Sequence, residues 1–471
     1  MNENILEIES ALEGRRAKKQ ADAPKYALRV QQGLTEEHIK EISHLKGEPD
    51  WMTQKRLDSF KIYQKKPMPT WGADLSELDV ENIWPYIKPE GEKTKDWDKV
   101  PSYIKETFDR LGIPEAEKKF LAGVGAMYDS ETRYFNIRKE LEAMGVIFMD
   151  TDTALVEYPE IVKEYFMTKC VPAADNKFSA LHGALWSGGS FVYVPKGVKI
   201  EMPLQIYFMM NYPGEGQFEH TLIIAEEGSE VNYIEGCSAP RYDTRSLHSA
   251  VVEIFAKKNS RVRYTSIQNW SKNIYNLNTK RALVYENAIM EWVGGTLGSG
   301  KTMLYPCSML VGRGGRAEHL NIAFASAGQE KDNGAKVMHL APNTTSIVVA
   351  KSIAKDGGWN KYRGLLKIAK GAVGSRANTR CEALLIDDKS RSDTYPHLDV
   401  QESKINIGHE AIASRISQEQ LFYLKSRGLS EQQAVNLIIS GFIEPITKLL
   451  PLEYAVELNK LIELEMEGSV G

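Results

Sequence analysis

Paired cysteines are what this 471-residue chain most plainly lacks. Its four cysteines, Cys170, Cys237, Cys307 and Cys381, stand singly, and no CxxC occurs. Zinc-finger and ferredoxin-type motifs need clustered thiols, so both are excluded. In a reducing cytoplasm lone cysteines are free thiols rather than a disulfide framework. Long apolar runs are also missing. No stretch approaches the roughly 20 apolar residues that cross a bilayer, and the opening MNENILEIESALEGRRAKKQ has no apolar block of a signal peptide. The expectation is a cytoplasmic chain with no membrane partner. A strong charge of one sign is absent too: the formal net charge of −4 gives no reason to expect nucleic acid. With 42% hydrophobic residues the composition is that of a globular protein. The length exceeds one compact core, which predicts several units or an elongated repeat body.

What is present falls into three textures. Residues 1 to about 170 read as helical and charged. Segments such as EEHIKEISHLKG and SETRYFNIRKELEAMG space apolar residues by three and four and end at a glycine. From about Ser187, short β-branched and aromatic runs alternate with Gly, Asn and charged turns. FVYVPKGVKI, LIIAEEGSEV, EIFAKKNSRV and LVYENAIMEW share a strand–turn–strand pattern, which continues in MLVGRGGRAE, VMHLAPNTTS, LLKIAKGAVG and HLDVQESKIN. Their turn residues are Gly197, Gly228, Asn259, Asn287, Gly315, Asn343, Gly371 and Glu402, spaced by 31, 31, 28, 28, 28, 28 and 31. Such timing predicts a solenoid in which stacked coils share one core. Gly and Asn suit corners that need positive φ. The fold expected is mainly β: a parallel β-helix of roughly eight coils over 171–410, flanked by helical regions at 1–170 and 411–471.

Helices return after Glu410. Ser417 with Gln420 and Ser430 with Gln433 fit the S-x-x-Q capping box. The last helix is expected to start at Pro451, with an apolar face of Leu452, Ala455, Leu458, Ile462 and Met466.

One motif misleads. GGTLGSGKT, Gly294 to Thr302, satisfies G-x-x-x-x-G-K-[ST]. A phosphate-binding loop follows a strand and opens a helix whose amides cradle the anion. Here the match lies inside the repeat, and MLYPCSMLVGRGG follows with Pro306 four residues on. Lys301 and Thr302 are expected to begin a strand, and the glycines to form a loop between coils.

The repeat register also aligns reactive side chains. Cys237 lies nine residues after Gly228, and Gln268 nine after Asn259. Equal offsets put them on neighbouring coils, about 4.8 Å apart along the backbone stack. Trp270 projects to the same side as Gln268. This group reads either as core filling or as a shielded path for a reactive sulfur species. In the second reading Trp270 excludes water, Gln268 donates hydrogen bonds and Lys280 favours a thiolate or persulfide. Further on, Cys381 lies ten residues after Gly371, and His409 and Glu410 lie seven and eight after Glu402. A thiol, an imidazole and a carboxylate within two or three residues of one register are credible iron ligands. The bland alternative makes Glu410 a helix cap and His409 a surface residue. Cys170 and Cys307 read as structural.

Several stretches carry a resemblance: MPTWGADLS at Met68, YDSETRYFNI at Tyr128, WSGGSFVYVPKGVKIEMPLQIYF at Trp186, EGCSAP around Cys237 and SIQNW ending at Trp270. NTRCEALLIDDKSRSDTYPHLDV around Cys381 and GHEAIASRIS at His409 complete the set, which spans nearly the whole chain. The chain resembles the SufB/SufD family of the SUF iron–sulfur cluster assembly machinery, on its SufB side. The resemblance implies a right-handed β-helix and an assembly scaffold without ATPase activity of its own. It implies that Cys237 accepts persulfide sulfur from a cysteine desulfurase system, and that Gln268, Trp270 and Lys280 line an internal route to Cys381. Cys381, with Glu410 and His409, would hold a nascent cluster, 4Fe–4S in type, at the contact with a partner β-helix, either SufD or a second copy of this chain. The C-terminal helices would dock the ABC-type ATPase SufC, and a reduced flavin is a further cofactor the resemblance admits. Family members can carry an acidic residue where this chain has Gly408, which leaves Glu410 the better ligand. Three rivals stand beside this reading: a SufD-like structural partner without the sulfur-accepting site, an extracellular polysaccharide-active β-helix, and a regulatory partner of the ATPase.

Overall fold

The computed structural model describes residues 26–96, 121–239 and 243–448, together with Ile462. Two parallel sheets face each other along most of that length. In one, Leu204–Met209, Glu230–Ser238, Arg261–Trp270, Ile289–Gly298, Arg316–Ala325, Thr345–Ala354, Arg376–Leu385 and Asn406–Arg415 stack in chain order. The other runs from Gly189–Val194 through His220–Ala225, Val251–Ala256 and Ile274–Val284 to Glu330–His339, Trp359–Ile368 and Arg391–Val400. Successive strands alternate between the sheets, giving the expected β-helix of about eight coils. Inward residues such as Ile206, Tyr233, Tyr264, Trp292 and Val348 make one continuous core between the sheets. No coil could bury both faces alone, which is why stacking supplies the stability.

The corner between the two sheets recurs as expected. Gly197, Gly228, Asn259, Asn287, Asn343 and Gly371 all adopt positive φ. Two positions differ. The left-handed residue in the fifth coil is Gly314 (φ 71°), one before the expected Gly315. Glu402 is no left-handed corner at all; its carboxylate accepts the N–H groups of Gly371, Ser403 and Lys404 at 3.2, 2.9 and 3.2 Å. Glu402 thus ties its turn to the preceding coil through a side chain rather than a backbone conformation.

The GGTLGSGKT segment is strand, turn and strand: one strand ends at Gly298 (φ 64°) and the next runs Lys301–Leu304. A Cβ on Gly298 would lie 1.6 Å from the Trp270 carbonyl oxygen, so the stack requires glycine there. The buried Lys331 ammonium donates to the carbonyls of Gly298 and Ser299. This loop therefore presents carbonyl oxygens to a cation, the opposite polarity to a phosphate cradle.

The N-terminal region departs from the helical expectation. Helix Glu36–Leu45 forms as read and helix Asp50–Lys65 follows it, but YDSETRYFNI makes the strand Glu131–Ile137. It pairs antiparallel with Gly123–Tyr128, which adds in parallel to Leu204–Met209 and closes that end of the solenoid. The Tyr134, Phe135 and Ile137 spacing fits either periodicity, and tertiary pairing decides it. Helix Asp50–Lys65 packs on helix Lys177–Leu185 through buried Arg56, which pairs with Glu48 and donates to the carbonyls of Ala184 (3.1 Å) and Trp186 (2.8 Å). MPTWGADLS lies on the outer face of the second sheet, where Lys361 donates to the Gly72 carbonyl at 3.0 Å.

At the far end, Ser417 caps helix Gln418–Ser426, and Ser430 with Gln433 forms a full reciprocal capping box on helix Glu431–Thr447. Ile439, Ile443 and Ile446 of that helix cover Ile267, Ile322, Phe324, Ile353 and Leu384 on the outer face of the first sheet. Ile462 joins the same cluster. The rest of the final expected helix, including Leu452, Ala455, Leu458 and Met466, lies outside the described residues. No described helix is long and apolar enough to cross a membrane.

Candidate functional site

Cys237 and Gln268 are direct register partners on adjacent strands, as equal offsets from their corners demand. Both side chains are buried and face the interior, and so is that of Trp270, whose ring lies 4.4 Å from that of His248. Lys280 reaches the same place from the opposite sheet. Its ammonium is buried and donates to Glu235 Oε1 at 2.8 Å and to the hydroxyls of Tyr264 and Ser266, both at 3.2 Å. The structure therefore brings Cys237, Gln268 and Lys280 into one buried polar cluster, with Trp270 on its border.

Glu235 is the residue that spacing alone missed. It lies two before Cys237, on the same face of the strand, in register with Ser266. Its carboxylate also accepts from Ser266 Oγ (3.0 Å), Tyr264 Oη and Gln268 Nε2 (3.5 Å). The Cys237 thiol points at Glu235 Oε1, 3.6 Å away. The same equal-offset argument that paired Cys237 with Gln268 would have paired Glu235 with Ser266.

The electrostatics set the resting state of both groups. Burial raises the Glu235 carboxyl, but the Lys280 ammonium and the hydrogen bonds from Lys280, Tyr264 and Ser266 outweigh it and hold the group below the ordinary carboxylate range. The Cys237 thiol, in contrast, is pushed well up, first by burial and then by the negative charges of Glu235 and Glu219. Lys280 pulls the thiol in the opposite direction, but burial and the two carboxylates outweigh it. From Gln268 the hydrogen bonds continue to Asn276 (2.5 Å), from there to His248 (2.8 Å), and on to Glu219.

Following the register along the first sheet gives Glu235, Ser266, Gly294, Asn321, Ala350 and Cys381 in a single inward row. Cys381 thus sits five strand steps from Glu235, roughly 24 Å at about 4.8 Å per step. Between them the interior is polar: Thr296, Asn321 and Ser352 face Asn333, Asn360 and Tyr362 around a cavity that Cys381 also lines. Both amide atoms of Asn333 and Oδ1 of Asn360 lack protein partners, which leaves hydrogen-bonding capacity directed into that space.

Cys381 is buried, and desolvation pushes its thiol up to about 12 against a hydrogen bond from Tyr362. Its register partner is Ala411; His409 pairs with Thr379 and Glu410 with Arg380. Strand alternation therefore puts His409 on the inner face with Cys381, and Glu410 on the outer face, where Arg380 lies 3.8 Å from it. His409 and Glu410 are exposed on the last strand of the sheet. The described residues contain no group of three His, Cys, Asp or Glu side chains placed to hold a metal ion within this one chain.

Cys170 and Cys307 flank Arg281 under the N-terminal helices. Arg281 donates to the Cys170 carbonyl at 2.9 Å, and Cys307 is its register partner. Burial raises both thiols.

Comparison with known proteins gives this arrangement a context. Residues 208–442 match the family described as the SUF system FeS cluster assembly, SufBD core domain, and residues 36–206 match the SufBD protein N-terminal region. A Staphylococcus saprophyticus protein described as an iron–sulfur cluster assembly SufBD family protein is 58% identical over 443 residues, covering 94% of this chain and 95% of its own. Proteins of the same description from Staphylococcus aureus strains MRSA252 and USA300 are 57% and 56% identical over the same shares. The chain belongs to the SufBD family of iron–sulfur cluster assembly proteins.

Proposed function

We propose that this chain is the sulfur-accepting scaffold of a SUF assembly complex, the SufB role within its family. Cys237 receives persulfide sulfur, the polar interior carries it along the coil axis, and Cys381 with His409 and Glu410 contributes to a nascent iron–sulfur cluster, which is cargo rather than a resident cofactor. The observation that carries the reading is the single inward row from Glu235, beside Cys237, to Cys381, with polar side chains around the space between. A SufD-like structural partner would have no use for a buried thiol against a carboxylate that is itself paired with an ammonium.

The cluster site on this chain is incomplete by itself, which suits completion by a second β-helix. Among the described residues both sheets end at the last coil in edge strands paired on one side only, Arg391–Val400 and Asn406–Arg415, and Tyr395, Leu398, Val400, Ile407 and Ile412 are exposed there. An open apolar edge of this kind invites a matching solenoid, either SufD or a second copy. Exposed Phe422, Tyr423 and Leu437 on the C-terminal helices favour docking of the ATPase SufC there. Glu410 would leave Arg380 to reach iron at that interface.

The test is anaerobic reconstitution with iron, supplying sulfur either as free sulfide or through a cysteine desulfurase. Bound iron and sulfide are measured for wild type, Cys237→Ala and Cys381→Ala. The scaffold reading expects Cys381→Ala to lose cluster with both sources and Cys237→Ala to lose it only with the desulfurase. Wild-type loading by both variants from both sources refutes it.

A further inference from the structure

Sulfur transfer to Cys237 requires a thiolate, yet the thiol rests protonated in a pocket that resists a second anion. Release of the proton to water would put a new negative charge beside Glu235, whose own charge already pairs with the Lys280 ammonium. Passing it across the 3.6 Å contact from Sγ to Glu235 Oε1 creates no charge: the negative charge moves from the carboxylate to the sulfur while Lys280 keeps its own. The oxygen that faces the sulfur is also the one that accepts from Lys280, so a proton on Oε1 removes the ammonium's anionic acceptor and leaves it the Tyr264 and Ser266 hydroxyls. Ser266 and Gln268 hold that oxygen toward the thiol, while Tyr264 holds Oε2.

We propose that Glu235 is the base that takes the Cys237 proton as sulfur arrives, and that this step turns the charge of Lys280 over to the sulfur. The assignment rests on the reading of Cys237 as sulfur acceptor. The donor is a persulfide, R–S–S–H. Cys237 Sγ attacks its terminal sulfur, a new S–S bond forms as the donor's S–S bond breaks, and R–S⁻ leaves with the electron pair. The departing thiolate then takes the proton from Glu235. The sum is Cys237–SH plus R–S–SH giving Cys237–S–SH plus R–SH, with no oxidant or reductant. When the new terminal S–H in turn hands its proton to Glu235, the carboxyl is again neutral and Lys280 pairs with the persulfide anion.

The experiment follows sulfur transfer from glutathione persulfide to the full-length chain, trapped by alkylation and read by mass spectrometry of the Cys237 peptide from pH 6.5 to 9. Donor ionisation cancels when each variant's rate is divided by that of wild type. Glu235→Gln is expected to be roughly 10²-fold slower at pH 7, the usual worth of a positioned base, and the ratio to climb as pH rises. Because Glu235→Gln strands a buried cation, Glu235→Gln/Lys280→Met is measured beside it. The same slow, alkaline-rescued profile in the double variant supports the assignment. Recovery of the wild-type rate at pH 7 in the double variant overturns it, since Glu235 then only neutralises Lys280. Unaltered ratios in both variants overturn it as well. A wild-type chain that gains no sulfur on Cys237 refutes the acceptor reading itself and takes this assignment with it.

Discussion

Replacing Lys280 with methionine leaves Glu235 as a buried carboxylate without its cation, and the structure fixes how the cost must vary with pH. In the native chain the Glu235 carboxyl lies below its unfolded value of 4.5, because Lys280 and its hydrogen-bond donors outweigh burial. A depressed carboxyl contributes stability that is present above about pH 4.5 and lost as pH falls through the folded value. In the Lys280→Met variant the burial remains and the positive charge is gone, so the carboxyl rises above its ordinary range. Between the two folded values the variant binds one proton that wild type does not. Its deficit therefore grows by about 1.4 kcal/mol per pH unit. At pH 8 the loss is expected to reach about 3–5 kcal/mol, the usual cost of breaking a buried ion pair. At pH 5 it shrinks to about 1–2 kcal/mol, set by lost hydrogen bonds. Urea unfolding followed by tryptophan fluorescence at pH 5, 6.5 and 8 measures this. An equal deficit at pH 5 and pH 8 would show that Lys280 acts through packing alone and refute the electrostatic account.

Two further outcomes are expected. Arg56→Ala removes a fully buried guanidinium that pairs with Glu48 and lies 4.8 Å from the Trp186 ring, so it should cost about 3–5 kcal/mol. Hydrogen exchange should show that loss concentrated in helices Asp50–Lys65 and Lys177–Leu185. Arg380→Gln frees the exposed Glu410 carboxylate from an ion pair worth at most about 1 kcal/mol. Anaerobic equilibrium dialysis should find iron held up to roughly 5-fold more tightly, and an unchanged affinity would argue that Glu410 is no ligand.

The solenoid was legible because its neighbours are one period apart. Corner residues that need positive φ advertise themselves as Gly or Asn, and equal offsets from them give the register of adjacent strands. That is why the Cys237–Gln268 pair and the strand character of Lys301 could be read without coordinates. The same logic faltered where a corner is built differently, at Gly314 and at Glu402 with its side-chain tie. It also failed at Glu131–Ile137, whose apolar spacing fits helix and strand alike until Gly123–Tyr128, itself paired to the first coil, offers an edge to pair with.

The sequence by itself determined the repeat, the axis along which Cys237 and Cys381 are separated, and the exclusion of a phosphate-binding loop. Only the tertiary structure decided what meets across the interior. Lys280 and Glu235 come from different sheets, 45 residues apart and bound by no common offset, so their ion pair and the resting protonated state of Cys237 follow from how the two sheets face each other. The separation of Cys381 from Glu410 is equally tertiary in consequence. A one-residue difference in register is small along the chain, but strand alternation turns it into opposite faces of the sheet.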